Sequence, residues 1–268
     1  MSGSDRLPQR IACLSSETVE VLYDLGQADR IAGISGFTMR PTRARKEKPK
    51  ISGFSSMQVE RVLAVHPDLV LAFSDLQADM CRNLIEAGLT VHVFNQRSVE
   101  GILDMVDTLG RLVGAQDRAA ALIDTLESTL AAARRAAQAR GGRRPRVYFE
   151  EWDEPPICGI RWVSELIEIA GGEDIFAERA HAPGARERIL ADPLEVAVRQ
   201  PDIIIGSWCG KHFRPERVQA RPGWSDIPAI RQGQVHEIKS PLILTPGPAA
   251  IREGLPTLVK LFDDWARH

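Results

Sequence analysis

The stretch Arg146–Trp162, RVYFEEWDEPPICGIRW, gathers side chains able to do chemistry. It carries the carboxylates Glu150, Glu151, Asp153 and Glu154, the indoles of Trp152 and Trp162, and the thiol of Cys158. Two carboxylates facing each other across a substrate, one with a raised pKa, would form an acid/base pair able to cleave glycosidic bonds. Strand alternation opposes that arrangement. If the segment is a strand, Tyr148, Glu150 and Trp152 share one face, and Phe149, Glu151 and Asp153 the other. The carboxylates are then split between faces and a loop. No G-x-S-x-G, P-loop, H-E-x-x-H or G-x-G-x-x-G motif follows a strand. A non-catalytic protein is expected, and an enzyme built on the Glu150–Glu154 cluster is the alternative.

Metal chemistry has a weaker footing. The histidines His66, His92, His181, His212, His236 and His268 are scattered, and the cysteines Cys13, Cys81, Cys158 and Cys209 form no C-x-x-C pair. His66, His92 and His236 fall in helix or strand patterns. His181 and His212 lie in loops, in the same half of the chain as Trp208 and Cys209. These two histidines and Cys209 are candidates to reach a ligand's metal centre, and no resident metal site is expected.

The elements that must position these residues alternate. Apolar strand runs at 10–15, 30–35, 69–73 and 90–95 are separated by helical patterns at 17–25, 57–66, 79–87 and 99–113. Residues 117–139 hold no glycine or proline and repeat apolar side chains at helical spacing, which predicts a helix roughly 35 Å long. The alternation then restarts, with strands at 146–152, 202–206 and 234–239, a helix at 162–172 and a closing amphipathic helix with Pro256 near a kink or restart. Parallel βαβ units follow from that order. VERVLAVHPDLVLAF in the first half echoes LEVAVRQPDIIIGSW in the second. The expected architecture is therefore α/β: two Rossmann-like lobes with parallel sheets, 1–116 and 141–268, joined by one long helix at 117–140, with a cleft between them.

The 268 residues are 44% hydrophobic and 26% charged, with a net charge of −2. That balance gives no reason to expect nucleic acid or an anionic membrane as partner. The basic run RGGRRPR, 140–146, reads as a solvated turn after a helix. No apolar run of about 18 residues appears, and the N-terminal stretch lacks a signal-peptide core.

In parallel sheets, ligands meet the carboxyl ends of the strands. Phe37, Arg40, Phe73, Trp152, Trp208 and Cys209 follow strand patterns and Phe54 precedes the helix at 57, and an aromatic wall suits a large, flat, partly apolar ligand. Plugging the ends of each lobe's core is the alternative role. A cationic pocket for an anionic chelate would draw on Arg40, Arg161 and Lys211.

LSSETVEVLYDLGQADRIAGIS, GFSSMQVERVLAVHPDLVLA, the 117–139 helix, VSELIEIAGGEDIF, DPLEVAVRQPDIIIG and GWSDIPAIRQGQVHEI occur in that order. In this arrangement the chain resembles the class III periplasmic substrate-binding proteins of cobalamin and iron-siderophore ABC importers, over about residues 10–265. It is most similar to the cobalamin-binding members. The resemblance implies cobalamin or another corrinoid as transported ligand, no catalytic cofactor, and an ABC permease and ATPase complex as partner. It also implies a monomer and a periplasmic location, with the cytoplasm as alternative. Phe54 and Phe73 match cobalamin-contacting aromatics, while Trp152, Trp162 and Trp208 join them by position only. Glu60 and Glu195 match the glutamates that dock permease arginines. KSPLILTPGP lacks the aspartate and arginine that contact corrin side chains in those relatives, so haem or a ferric siderophore is the alternative ligand.

Overall fold

Short, almost wholly apolar strands dictate the framework, because such runs are stable only where both faces of a sheet are covered. The computed structural model describes residues 6–182 and 184–267. They divide into two compact units: the described residues up to Gln96 with Glu100–Leu126, and Arg97–Val99 with Glu127 onward.

The first unit holds five parallel strands, β1 (Ile11–Cys13), β2 (Ile31–Ser35), β3 (Lys50–Ser52), β4 (Leu69–Phe73) and β5 (Val91–Phe94), in the order β3-β2-β1-β4-β5. The chain runs outward from β1 to β3, then crosses back to β4 on the other side of β1. That reversal puts a topological switch point at the carboxyl ends of β1 and β4. On one face Ile11, Cys13 and Leu71 pack against Val19 and Leu22 of the helix Ser16–Asp24 and Val106 and Leu109 of the helix Val99–Leu112. On the other, Ala12, Val70 and Ala72 pack against Val62, Cys81 and Leu84.

The second unit is built on β6 (Arg146–Asp153), β7 (Pro156–Cys158), β8 (Glu173–Asp174), β9 (Ile203–Gly206) and β10 (Val235–Glu237). The order is β10-β9-β6-β7, with β8 pairing the start of β6. β7 runs antiparallel to β6, a hairpin that the strand-loop reading of 153–160 did not contain.

The long helix spans Gln116–Arg140 without a break. Its Ala119, Leu122 and Ile123 join the first unit's core. The remainder, from Glu127, belongs to the second unit. The division between the two units thus falls inside the helix, after Leu126. The closing segment begins as a π-turn at Ala250–Gly254 and continues as the helix Leu255–Trp265, with Pro256 in its first turn. Helical backbone runs on from that turn without a break, so Pro256, which has no N–H, leaves the ladder one bond short where the π-turn ends.

The basic run is an exposed turn after the helix, as expected, but its arginines are paired. Arg140 bonds Asp263 at 2.7 Å, Arg143 makes a bidentate pair with Asp202 at 2.7 and 3.0 Å, and Arg144 reaches Glu168 at 2.6 Å. Arg143 also stacks over Trp265, 4.9 Å from its ring centre. Planar guanidinium groups are suited to such bidentate and stacked contacts, so the run ties the start of β6 to its surroundings.

Candidate functional site

At the carboxyl edge of the first unit three loops follow β2, β3 and β4. The β2 loop exposes Phe37, 64% accessible, together with Met39. It is nonetheless fixed: Arg45 donates through Nη1 to the carbonyls of Gly36 (2.9 Å) and Thr38 (2.8 Å). The β3 loop exposes Phe54, 39% accessible. Buried Gln77 holds that loop to its neighbours. Its Nε2 donates to the carbonyls of Phe54 (2.7 Å) and Leu14 (3.1 Å), and its Oε1 accepts from the Phe73 amide at 2.9 Å. Ser74 caps the following turn by accepting from the Leu76 amide. Exposed apolar tips on hydrogen-bonded loops form a firm, greasy rim, and Leu76 adds to it.

Gln77 and Arg45 escaped the sequence reading. For Gln77 a signal existed: Ser74-x-x-Gln77 has the spacing of a capping box. Arg45 sits in a basic stretch with no pattern to single it out.

Beneath this rim lie two carboxylates on the helix Ser16–Asp24. Burial pushes the Glu17 carboxyl up to about 7, against bonds from its own backbone and from Ser15 that favour the charged form. Glu20, also buried, pairs with Arg40 at 3.3 Å. Arg40 is thus held to its own unit by a buried partner.

The four carboxylates of the opening segment each have a cation. Buried Glu150 receives a bidentate pair from Arg221, plus the Tyr148 hydroxyl (2.9 Å) and the Trp208 indole N–H (2.9 Å). Glu151 is bonded by buried Arg188. Asp153 has Lys211 at 2.7 Å and Arg217 at 3.3 Å; Glu154 has Arg217 at 3.2 Å. Burial pushes the Asp153 carboxyl up, but Lys211, a backbone bond and Arg217 together hold the group below its ordinary range. Charge-compensated carboxylates of this kind brace a strand end, and Asp153 is held in its charged form.

The remaining candidates separate by burial. Phe73 (5% accessible), Trp162 (3%) and Trp208 (3%), expected along a ligand wall, lie within their units' interiors. Trp162 donates to the Ile243 carbonyl at 2.9 Å, and Trp208 packs edge-on against Phe213. Buried indoles need such partners for their N–H groups, which fixes them inward. Trp152 is half-buried, its N–H bonded to the Glu154 carbonyl at 2.9 Å, with the Lys211 ammonium 4.0 Å from its ring centre. Cys209 is exposed, and burial of its surroundings nevertheless pushes its thiol up. His181 and His212 are exposed, and among the described residues no three His, Cys, Asp or Glu side chains cluster as metal ligands. Arg161 is paired with Glu165 at 2.7 Å.

Glu60 stands exposed in the first turn of the helix Val59–Leu63, with no ion pair among the described residues. Glu195 occupies the same place on the helix Leu194–Arg199, but Arg179 holds it at 2.6 Å and Arg199 lies 4.0 Å away.

Residues 11–242 match the sequence profile of the periplasmic binding protein family. The chain belongs to that family. A cobalamin-binding protein of Halobacterium salinarum is 29% identical to this periplasmic binding protein over 206 residues, 75% of this chain and 54% of the relative. The chain therefore spans about half the length of that relative. A vitamin B12-binding protein of Vibrio campbellii is 28% identical over 248 residues, covering 89% and 84% of the two chains. The fold is that of the solved periplasmic haem-binding protein from Roseiflexus sp. RS-1, with a TM-score of 0.83, 23% identity and coverage of 96% and 99%. No helix among the described residues is long and apolar enough to cross a membrane.

Proposed function

We propose that this periplasmic binding protein captures a bulky, partly apolar metal chelate, cobalamin or a related corrinoid, and hands it to the permease of an ABC importer. The observation that carries the reading is the rim of the first unit, where Phe37, Met39, Phe54 and Leu76 project from loops that Gln77 and Arg45 hold in place. Apolar area removed from water on such a rim contributes about 25 cal/mol per Å², and fixed loops add little ordering cost on binding. The cobalamin-binding relatives support the choice of ligand. The protein acts outside the cytoplasmic membrane, as the family's periplasmic members do, and catalyses no reaction on its cargo. Glu60 and Glu195 meet cationic side chains of the permease.

Titration with cyanocobalamin, followed by visible absorbance and calorimetry, tests the reading. Saturable 1:1 binding in the micromolar range or tighter is expected. Absence of binding at about 10 μM ligand, with haemin or a ferric siderophore bound instead, would replace the corrinoid with that chelate.

A further inference from the structure

We infer that Lys211 is a displaceable cover on the indole face of Trp152, and that this corner of the second unit takes a flat ring carrying an anionic arm. The inference rests on the chelate-capture reading above and adds a second recognition element to it.

The carboxyl end of β6 supplies the parts. Trp152 is anchored by its N–H to the Glu154 carbonyl at 2.9 Å, so its ring cannot swing away. What covers the ring is the Lys211 ammonium, 4.0 Å from the ring centre, at the end of a flexible four-carbon stem. The same ammonium bonds Asp153 Oδ1 at 2.7 Å. Asp153 is buried, and a buried carboxylate stripped of all its cations would be costly. Lys211 is not its only cation. Arg217 stands 3.3 Å from Oδ2, and Arg221 reaches the Asp153 carbonyl at 3.5 Å. Arg217 therefore still faces the carboxylate when Lys211 leaves, as an ion pair with no hydrogen bond to Oδ2.

No other cation of the network is free in this way. Arg188 is buried on Glu151, and among the described residues Arg221 is the only cation paired with Glu150. Arg217 is shared between Asp153 and Glu154. Arg217 is exposed as well and lies 5.9 Å from the Trp208 ring centre, but it bonds two carboxylates, whereas Lys211 bonds one and sits 4.0 Å from the Trp152 ring centre. A ring that stacks on Trp152 must move it, and the displaced ammonium then needs an anion. A ligand whose flat system bears a phosphate or carboxylate arm supplies both: the ring replaces the ammonium on the indole, and the arm receives it. A flat ligand without an anion displaces Lys211 with nothing in exchange.

The test compares wild type, Lys211→Met and Lys211→Arg against cyanocobalamin, which has a phosphodiester, dicyanocobinamide, which keeps the ring but lacks that phosphodiester, and haemin, which has two carboxylates. Affinities are measured at low and high salt, with tryptophan fluorescence as a second readout. Expected for whichever anionic ligand the wild type binds are a salt-sensitive affinity, a loss of about tenfold in Lys211→Met, and recovery in Lys211→Arg. Cobinamide should bind Lys211→Met at least as tightly as wild type. Equal affinities of wild type and Lys211→Met for every ligand would overturn the inference while leaving the chelate-capture reading intact. Failure of the wild type to bind any of the three would remove both.

Discussion

Arg221 closes on Glu150 through two parallel hydrogen bonds, Nη1 to Oε2 at 2.5 Å and Nη2 to Oε1 at 3.0 Å, with the carboxylate wholly buried. Removing the guanidinium alone strands a buried charge. Arg221→Met should lower unfolding free energy by about 3 to 5 kcal/mol. Combining it with Glu150→Gln should restore most of that loss, because a neutral amide can keep bonds to Tyr148 and Trp208. Urea unfolding of the three variants checks this; equal losses in the single and double variants would contradict it.

Glu17 predicts a pH dependence of stability. Burial raises its carboxyl to about 7 in the folded protein. A raised pKa means the folded state holds the proton more tightly than the unfolded chain. The contribution is therefore complete below the unfolded value and is lost as pH climbs through about 7. The loss is on the order of 3 kcal/mol if the unfolded chain titrates normally. Glu17→Gln should flatten the curve between pH 5 and 8, within about the same order. A wild-type midpoint in urea that rises across that range would count against Glu17 as the controlling group.

Accessible and interior aromatics should respond in opposite ways. Phe37→Ala and Phe54→Ala should change stability by less than about 0.5 kcal/mol and weaken ligand binding roughly tenfold each. Trp162→Phe loses its bond to the Ile243 carbonyl and should cost about 1 to 2 kcal/mol of stability with ligand affinity unchanged. Paired melts and titrations separate the two groups.

Of the four thiols, Cys13, Cys81 and Cys158 are buried and Cys209 is exposed. Cys13 is pushed up to about 12 by burial, which leaves it without thiolate at neutral pH. A native sample treated with a disulfide reagent should release about one equivalent, lost in Cys209→Ser. More than one fast equivalent would show that an interior thiol is accessible.

Glu60→Ala and Glu195→Ala should leave ligand affinity intact and lower delivery to the importer. Only the second should affect stability, by less than about 1 kcal/mol, because Glu195 is already bonded to Arg179 whereas Glu60 stands alone on its helix. Transport in reconstituted vesicles is the measurement; normal delivery by both variants would remove the glutamates from the docking surface.

Much of the framework was legible because periodicity is a local signal. The apolar runs at 69–73 and 202–206 and the uninterrupted helix through 117–139 lie where the pattern put them. The alternation that puts Tyr148 and Glu150 on one face was equally readable, and the bond from the Tyr148 hydroxyl to Glu150 reflects it; a register shift between Glu150 and Trp152 interrupts the pattern before Trp152. Long-range facts were not. The cations answering Glu150, Glu151 and Asp153 arrive 71, 37 and 58 residues later in the chain, and no spacing rule links them. The same limit explains Phe73 and Trp208. A strand-end aromatic looks alike in sequence whether it points outward, as Phe54 does, or is enclosed by neighbours recruited from elsewhere. β3, three residues long and headed by lysine, offers too short a run for alternation to register.

The helix Gln116–Arg140 gives Ala119, Leu122 and Ile123 to one interior, while its last residue, Arg140, is fastened to Ala170 and Asp263 in the other. A cut in the chain on either side of the helix therefore takes a packing partner from one of the two interiors. A fragment ending before the helix would lack a wall that its core requires, and one beginning after it would lack an anchor. Deletion, permutation or fusion schemes that respect this protein must carry the whole rod with whichever half they keep.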